Sequence, residues 1–296
     1  MLYKMDALKL LETLENNSVD LVLTDPPYYK KLDVAWDNQW KTIDNYLIFI
    51  DQIVRECERV MKMNGTLYIF ASPDMSWHVE GVVRKYFNVI NHIRWANKNS
   101  ASLRCCKENL RKYINNSEEI IVAEKFTYFL YKPIQIYLLN SIKGVNITKS
   151  EANKLCGVNG TCGNYFLEYR WSMPPKIYYN RLKKIIDLQI YPDIMEEYDD
   201  LYQEYEILKK TKRIFKLSNK VQYNNTWMFK EAGKKKNRHL CQKPDDLIEH
   251  IINVSSNEND LIIDMFSGSC VVSKMCEKMN RKFIGCDIDD SFFNSL

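Results

Sequence analysis

The chain of 296 residues is long enough to bury a substantial core, and its length allows one large domain or two smaller ones. Hydrophobic residues make up 46% and charged residues 27% of the sequence, proportions typical of a soluble globular protein. No apolar run approaches the roughly 20 residues needed to cross a bilayer, and the N-terminus becomes charged too early for a signal peptide, so we expect a cytoplasmic protein.

The first third of the chain predicts alternating strands and helices. A short strand at Leu2–Met5 is followed by a helix at Ala7–Leu14. Val19–Thr24 is a compact apolar run, typical of a strand buried on both faces. A helix with apolar residues at helical spacing follows at Ile43–Met63. The next strands are predicted at Thr66–Ala71, Val89–Trp95 and Glu119–Ala123.

The middle of the chain differs in character. Residues 145–175 are rich in Asn, Gly and Cys, and a long helical pattern covers Arg181–Phe215. Alternation resumes near Gln242 with a helix in the stretch PDDLIEHIINVSS. A strand at Asp260–Asp264, a helix that ends near Met279 and a strand at Lys282–Asp287 complete the pattern. The sequence therefore predicts an α/β fold that is interrupted once, by residues 126–240.

The net charge of +4 is unevenly distributed. The segment from Lys209 to Leu240 has eleven basic residues against one acidic residue, and the segment from Asp193 to Glu206 has seven acidic residues and no basic one. Such asymmetry is typical of a surface that binds a polyanion. It fits equally well a solvated helical hairpin in which an acidic helix partly neutralises a basic one.

The nine cysteines and four histidines are scattered along the chain. The sequence contains no CxxC pair, and its histidines lack the spacing of zinc ligands. We therefore expect reduced, mostly buried thiols and no metal centre.

The tetrad Asp25-Pro26-Pro27-Tyr28 directly follows the predicted strand at Val19–Thr24. Ligands of open α/β sheets bind outside the carboxyl ends of the strands, so this position favours a binding site. A carboxylate and a rigid backbone carbonyl would accept both N–H bonds of an exocyclic amine, such as that of adenine, and make its nitrogen more nucleophilic. The tyrosine ring offers a stacking surface for an extruded base. The alternative is a proline-rich turn with no catalytic role.

A second motif, DMFSGSC at Asp264–Cys270, leads from a short apolar strand into a helix. Nineteen residues after Gly268, Asp287 ends the next predicted strand. A tight turn followed after about twenty residues by a carboxylate that can bind ribose hydroxyls is typical of a nucleoside-cofactor site.

The segments TDPPYYK and DMFSGSC, in this order, resemble the beta-type DNA N6-adenine and N4-cytosine amino-methyltransferases. The stretch KMDALKLLETLENNSVDLVLTDPPY resembles the N-terminus of that family, and the stretch from CQKPDDLIEH to RKFIGCDID resembles its C-terminal half. The resemblance implies S-adenosylmethionine as cofactor and a circularly permuted, Rossmann-like sheet with an inserted, partly helical target-recognition region. The catalytic domain would comprise residues 1–125 and 241–296, and the insertion would comprise residues 126–240.

The resemblance also implies roles for individual residues. Asp25 and Pro26 of the catalytic tetrad would hold the target amine, and Tyr28 would stack on the base. The implied cofactor-binding residues are Asp6, Lys243, Pro244, Asp264, Phe266, Ser267, Gly268 and Asp287. Cys270 departs from the family pattern, which usually has a third small residue, often Gly, at this position.

Sequence specificity requires contacts beyond the catalytic site. Phosphate contacts position a protein on DNA, and base-edge contacts select the sequence. We expect the insertion to supply both, with phosphates bound by Lys209, Lys210, Lys212, Arg213, Lys234, Lys235, Lys236 and Arg238.

Together these features predict an enzyme that methylates adenine N6 in duplex DNA after base flipping, in a restriction-modification system, a phage or epigenetic marking. N4-cytosine methylation is the alternative, and adenine is favoured because the family tends to have Ser in place of Asp25 for cytosine. A non-catalytic DNA-binding protein with a decayed methyltransferase fold is the alternative from another class. A cognate restriction endonuclease is a candidate partner, and both a monomer and a homodimer remain open.

Overall fold

A computed structural model describes residues 1–31, 33–34, 36–96, 111, 115–125, 148–160, 177–178, 181, 213–216, 224–230 and 242–293. The chain forms two compact units, one of Met1–Lys125 with Arg213–Leu296 and the other of Phe126–Lys212. This division groups residues 213–240 with the first unit, whereas the sequence analysis assigned them to the insertion. Most of the predicted helix at Arg181–Phe215 lies outside the described residues.

One mixed sheet organises the first unit. Its eight strands are β1 Leu2–Lys4, β2 Val19–Thr24, β3 Met61–Ala71, β4 Asn88–Ala96, β5 Ser117–Glu124, β6 Thr226–Trp227, β7 Leu261–Asp264 and β8 Lys282–Asp287. Their order across the sheet is β1-β8-β7-β2-β3-β5-β4-β6. Strand β5 is antiparallel to its neighbours β3 and β4, and the other pairings are parallel. The predicted α/β fold class is confirmed.

The strand order shows the circular permutation that the resemblance implied. The C-terminal strands β7 and β8 lie between β1 and β2, which come from the start of the chain. Residues Ile262 and Ile263 of β7 pair with Leu21 and Val22 of β2, and Gly285 of β8 pairs with Leu2 of β1. Both ends of the chain therefore contribute to one continuous sheet.

The helices of the described residues are α1 Ala7–Thr13, α2 Ile43–Val60, α3 Ser76–Val83, α4 Lys149–Cys156, α5 Asp245–Ser255 and α6 Val271–Lys278. Helix α4 belongs to the second unit and begins with a capping box between Thr148 and Glu151. Helices α3 and α4 and strand β6 were not predicted from the sequence. The predicted end of α2, at Met63, lies too far along the chain, because β3 already begins at Met61.

The core consists of two hydrophobic layers, one on each face of the sheet. Helices α1, α2 and α3 pack on one face, and α5 and α6 pack on the other. Side chains alternate between the two faces along a strand. In β2, Val22 therefore packs in the first layer, and Leu21 and Leu23 pack in the second. Among the described residues, no helix is both long and apolar enough to cross a membrane. The five cysteines within the described ranges are buried free thiols: Cys57, Cys156, Cys270, Cys276 and Cys286.

This topology makes the two ends of the chain depend on each other for folding. A fragment of residues 1–125 would lack β7 and β8, so β1 would lose its partner strand and β2 would gain an open edge. It would also lack α5 and α6, which cover one face of the sheet. We expect this fragment to show no cooperative transition in urea denaturation followed by circular dichroism, whereas the full chain unfolds cooperatively. A sharp transition with a slope appropriate to 125 residues would contradict the interdependence.

Candidate active site

The two sequence motifs line a single cavity of about 540 Å³ in the first unit. The tetrad at Asp25–Tyr28 follows β2, the turn at Met265–Ser269 follows β7, and Asp287 ends β8. Neighbouring parallel strands bring their carboxyl ends to the same edge of a sheet, which explains this convergence. The cavity is within the size range of small-ligand sites. It is lined by every residue predicted for catalysis or cofactor binding except Pro244, which is the N-cap of α5.

One end of the cavity is built around Asp287. Its Oδ2 atom accepts a hydrogen bond of 2.8 Å from the backbone N–H of Gly268, and its Oδ1 atom accepts one of 3.0 Å from that of Asp289. Gly268 has a φ of 42°, in the left-handed region that glycine tolerates best. A carboxylate at the end of β8 thus holds the turn after β7 and faces the cavity.

The turn after β7 is packed closely against β8. A Cβ atom at Gly285 would lie 2.5 Å from Ser267 Oγ and 2.8 Å from the carbonyl oxygen of Asp264, so only glycine fits there. Cys270 ends the turn with a φ of 60°, and a left-handed conformation costs a non-glycine residue roughly 1–2 kcal/mol. The resemblance noted from the sequence implies a small residue, often Gly, where Cys270 stands, and glycine adopts this conformation without that cost.

Asp264 adds a second carboxyl group to this end of the cavity. It is buried, and its Oδ1 atom accepts hydrogen bonds of 3.1 Å from the Phe266 N–H and 3.3 Å from the Thr24 hydroxyl. Burial raises the pKa of Asp264 to about 8, and the nearby carboxylates of Asp25 and Asp287 add to the rise. The carboxyl groups of Asp25, Asp264 and Asp287 therefore border one cavity, where they can hydrogen-bond to the hydroxyl groups of a ligand. A cationic ligand beside Asp264 would lower its pKa again and favour its charged form. S-adenosylmethionine, with its sulfonium, ammonium and ribose, has that chemistry.

Asp6 lies beside this end of the cavity, directly after β1. Its carboxylate is the N-cap of α1, with Oδ1 accepting hydrogen bonds of 2.9 Å from the Leu8 N–H and 3.3 Å from the Lys9 N–H. The helix therefore fixes Asp6 at the cavity wall.

The other end of the cavity contains a connected group of four side chains, Asp25, Tyr28, Glu118 and Lys243, which we call the Asp25 cluster. The Lys243 Nζ atom lies 2.6 Å from Asp25 Oδ2, 2.9 Å from Glu118 Oε2 and 3.1 Å from the Tyr28 hydroxyl. The Tyr28 hydroxyl lies 2.7 Å from Asp25 Oδ1 and 2.7 Å from Glu118 Oε2.

In the Asp25 cluster, burial disfavours the charged forms of the side chains, and the pairing of opposite charges favours them. Burial raises the pKa of Asp25, the Lys243 ammonium lowers it and the Glu118 carboxylate raises it. Burial disfavours the charged form of Lys243, but Asp25 and Glu118 together raise its pKa above the usual value, so it stays protonated. Burial and the two carboxylates raise the pKa of Tyr28, whose hydroxyl therefore stays neutral.

The loop after the tetrad is held by a buried carboxylate that the sequence analysis did not single out. Asp37 accepts hydrogen bonds from the backbone N–H of Tyr28 at 2.9 Å and that of Lys31 at 2.5 Å. Between them, Tyr29 and Lys30 both adopt left-handed φ angles, of 60° and 56°. Asp37 thereby fixes the chain direction immediately after the tetrad.

Two features of the Asp25 cluster add to what the sequence suggested. The ammonium of Lys243, which was assigned to the cofactor, contacts the carboxylate of Asp25, and the cofactor assignment stays a prediction. Glu118 was not singled out, because it lies just before the strand predicted at Glu119–Ala123, whereas β5 begins at Ser117. It reaches the site because β5 is antiparallel, which brings its N-terminal end to the edge where β2 has its carboxyl end. A charged residue at the start of a buried strand was the available signal.

Of the eight basic residues predicted to bind phosphate, Arg213 is the one within the described residues. Its Nε atom lies 3.1 Å from Glu124 Oε2, and its guanidinium lies 5.0 Å from the ring centre of Phe215. This side chain is thus engaged within the first unit. The assignment of all eight residues to DNA stays a prediction.

Comparison with known proteins identifies a matching family, relatives and a shared fold. A family model described as DNA methylase matches residues 19–296. The chain is 24% identical to the type II methyltransferase M.HpaI of Haemophilus parainfluenzae, over 97% of this chain and 69% of that protein. It is 25% identical to the DNA adenine methyltransferase YhdJ of Escherichia coli K12, over 97% of this chain and 78% of that protein. The solved M1.HpyAVI–SAM complex shares the fold, with a TM-score of 0.55, 17% identity and coverage of 100% of this chain and 96% of that one.

Proposed function

The chain belongs to the N6/N4 DNA methylase family, the S-adenosylmethionine-dependent DNA methyltransferases, and within that family we propose that it methylates the N6 amine of adenine. The observation that carries the proposal is the Asp25 carboxylate at the end of β2, held at one end of the cavity whose other end suits the cofactor. A carboxylate can accept an N–H of the adenine amine and stabilise the positive charge that develops on its nitrogen. The relative YhdJ is named an adenine methyltransferase.

At the cofactor end we propose that Asp287 accepts hydrogen bonds from the ribose hydroxyls and that Asp264 faces the cationic part of the molecule. Ser267 and Gly268 form the turn that borders it, and Phe266 packs beside it, edge-on to Phe49 with ring centres 6.0 Å apart. When bound, S-adenosylmethionine supplies a methyl group activated by its sulfonium. Methyl transfer then depends on how the residues of the two ends align the amine with that methyl group.

At the catalytic end we propose that the target adenine enters the cavity after rotating out of the DNA duplex. The Asp25 side chain is 23% exposed and lies inside the cavity, where the amine of a stacked and paired base would not reach it. Tyr28 would stack on the flipped base while its hydroxyl keeps the ring in place through Asp25 and Glu118. The Pro26 carbonyl would accept the second N–H of the amine.

For the remainder of the protein we propose a role in DNA recognition. Residues 126–240 would contact the recognition sequence, and their basic side chains would bind phosphates. Relatives such as M.HpaI are type II methyltransferases, which supports a role in a restriction-modification system with a cognate endonuclease.

The proposal predicts a specific modified base. Unmethylated plasmid DNA incubated with the purified protein and S-adenosylmethionine should yield N6-methyladenine when digested to nucleosides and analysed by mass spectrometry. DNA incubated without the protein is the control. Detection of N4-methylcytosine instead would retain the family chemistry and refute the choice of base. Absence of either product, on DNA of high sequence diversity, would contradict the proposed function.

A further inference from the structure

Asp25 already has hydrogen-bond donors on both carboxylate oxygens before any substrate arrives. The Tyr28 hydroxyl contacts Oδ1 at 2.7 Å, and the Lys243 ammonium contacts Oδ2 at 2.6 Å. Each carboxylate oxygen can accept a further hydrogen bond, but the donors already in place reduce the negative charge that Asp25 offers to a target amine. The Lys243 side chain is only 6% exposed, so its ammonium depends on acceptors within the protein.

Glu118 offers both donors a second acceptor at nearly the same distances. Its Oε2 atom lies 2.7 Å from the Tyr28 hydroxyl and 2.9 Å from the Lys243 Nζ atom. A tyrosine hydroxyl has one proton and donates fully to one acceptor at a time. The geometry therefore allows two arrangements, one with the hydroxyl proton directed to Asp25 and one with it directed to Glu118.

We infer that Glu118 is a positioning residue that accepts the Tyr28 hydrogen bond and shares the Lys243 ammonium when Asp25 accepts the target amine. This inference rests on the proposed function. The Tyr28 proton keeps an acceptor after it leaves Asp25, and Lys243, which already contacts Glu118, is held less exclusively by Asp25, so that Asp25 keeps more negative charge for the amine. No bond is formed or broken in the exchange, which changes only hydrogen-bond partners.

Asp25 faces charged and titratable groups from several elements. They are Tyr28 on its own loop, Tyr46 on α2, Glu118 on β5, Lys243 before α5 and Asp264 at the end of β7. Of these, Lys243 lowers the pKa of Asp25 and Glu118 raises it. The inference therefore predicts opposite pH effects for the two neighbours. Loss of the Glu118 charge should move the acidic limb of the activity profile to lower pH, and loss of the Lys243 charge should move it to higher pH.

The test compares the native protein with Glu118→Gln. We expect kcat to fall about 10- to 100-fold, the effect of weakening a hydrogen bond to a charged group, since the amide is a weaker acceptor and leaves both donors more firmly on Asp25. The KM for DNA and the calorimetric affinity for S-adenosylmethionine should be unchanged. The acidic limb should move to lower pH, and ¹³C NMR of carboxyl-labelled protein should show Asp25 titrating at lower pH without substrate. In Lys243→Met, both measurements should move to higher pH.

Glu119→Gln is the matched control on the same strand. Its carboxylate points to the opposite face, where it pairs with Arg94 at 2.9 Å, so it should leave kcat and the acidic limb unchanged. An unchanged kcat and pH profile in Glu118→Gln would overturn the inference. A loss of cofactor affinity by the same factor as kcat would also overturn it, and so would a marked fall in melting temperature, because either result indicates a structural role. An inactive native protein would instead refute the proposed function, and the NMR titration would then still decide whether Glu118 sets the pKa of Asp25.

Discussion

Replacement of Asp25 by Asn is expected to reduce methyl transfer by about 10²- to 10³-fold, the loss typical when one stabilising group is removed from a developing charge. Asparagine keeps the size of the side chain but loses the negative charge. Its amide nitrogen is a donor and would face the N–H groups of the target amine. The cofactor end of the cavity is built by other residues, chiefly Asp287 and Gly268, so binding of S-adenosylmethionine should be retained.

The measurement is kcat for transfer of a labelled methyl group to DNA at saturating cofactor, with cofactor affinity measured by calorimetry on the same sample. Asp51→Asn is the matched control, because Asp51 lies on α2 and pairs with Lys85 and Tyr86. It should keep its activity. An Asp25→Asn protein that methylates DNA at the native rate would show that the carboxylate does not act on the amine.

Replacement of Asp287 by Ala is expected to weaken binding of S-adenosylmethionine by about 100-fold or more. The carboxylate would accept hydrogen bonds from the ribose hydroxyls, and hydrogen bonds to a charged group contribute roughly 1.5–3 kcal/mol each. Two such bonds correspond to at least two factors of ten in affinity. The substitution also frees the Gly268 N–H, to which Asp287 is bonded at 2.8 Å, and so loosens the turn after β7.

Calorimetric titration of the cofactor into Asp287→Ala measures this effect, with Asp290→Ala as the control three residues further on. Asp290 forms an exposed ion pair with Lys4 at 3.0 Å, a type of contact that contributes little to stability. Its loss should leave cofactor affinity unchanged. Equal affinities in the native protein and Asp287→Ala would remove Asp287 from the cofactor site.

Much of the fold could be predicted from the sequence, because its signals are local. The run at Val19–Thr24 is apolar enough to predict a buried strand, and its bounds agree with β2. Helix α3 was missed because its stretch, SWHVEGVV, lacks a clear helical stripe and has no side-chain cap. Strand β6 has two residues and forms only by pairing with Arg94 and Trp95 of β4, which no local pattern indicates.

The candidate site likewise contains residues that local patterns predict and residues that they do not. Asp25 and Asp287 could be singled out because Asp25 directly follows a strand, Asp287 ends one, and each belongs to a motif that has a chemical meaning. The position of Glu118 depends on the antiparallel direction of β5, a property of the whole sheet. The contact between Lys243 and Asp25 joins residues far apart in the sequence, and it exists because β7 inserts beside β2 and brings α5 over the end of that strand.

The central claim is that one cavity performs two separable tasks, with the cofactor held at the Asp287 end and the amine at the Asp25 end. The most direct measurement determines cofactor affinity and kcat together for the native protein, Asp25→Asn and Asp287→Ala. We predict that Asp25→Asn keeps the affinity and loses kcat, whereas Asp287→Ala loses affinity and keeps most of kcat at saturating cofactor. Loss of both properties in Asp25→Asn, or loss of kcat alone in Asp287→Ala, would contradict this division of the cavity.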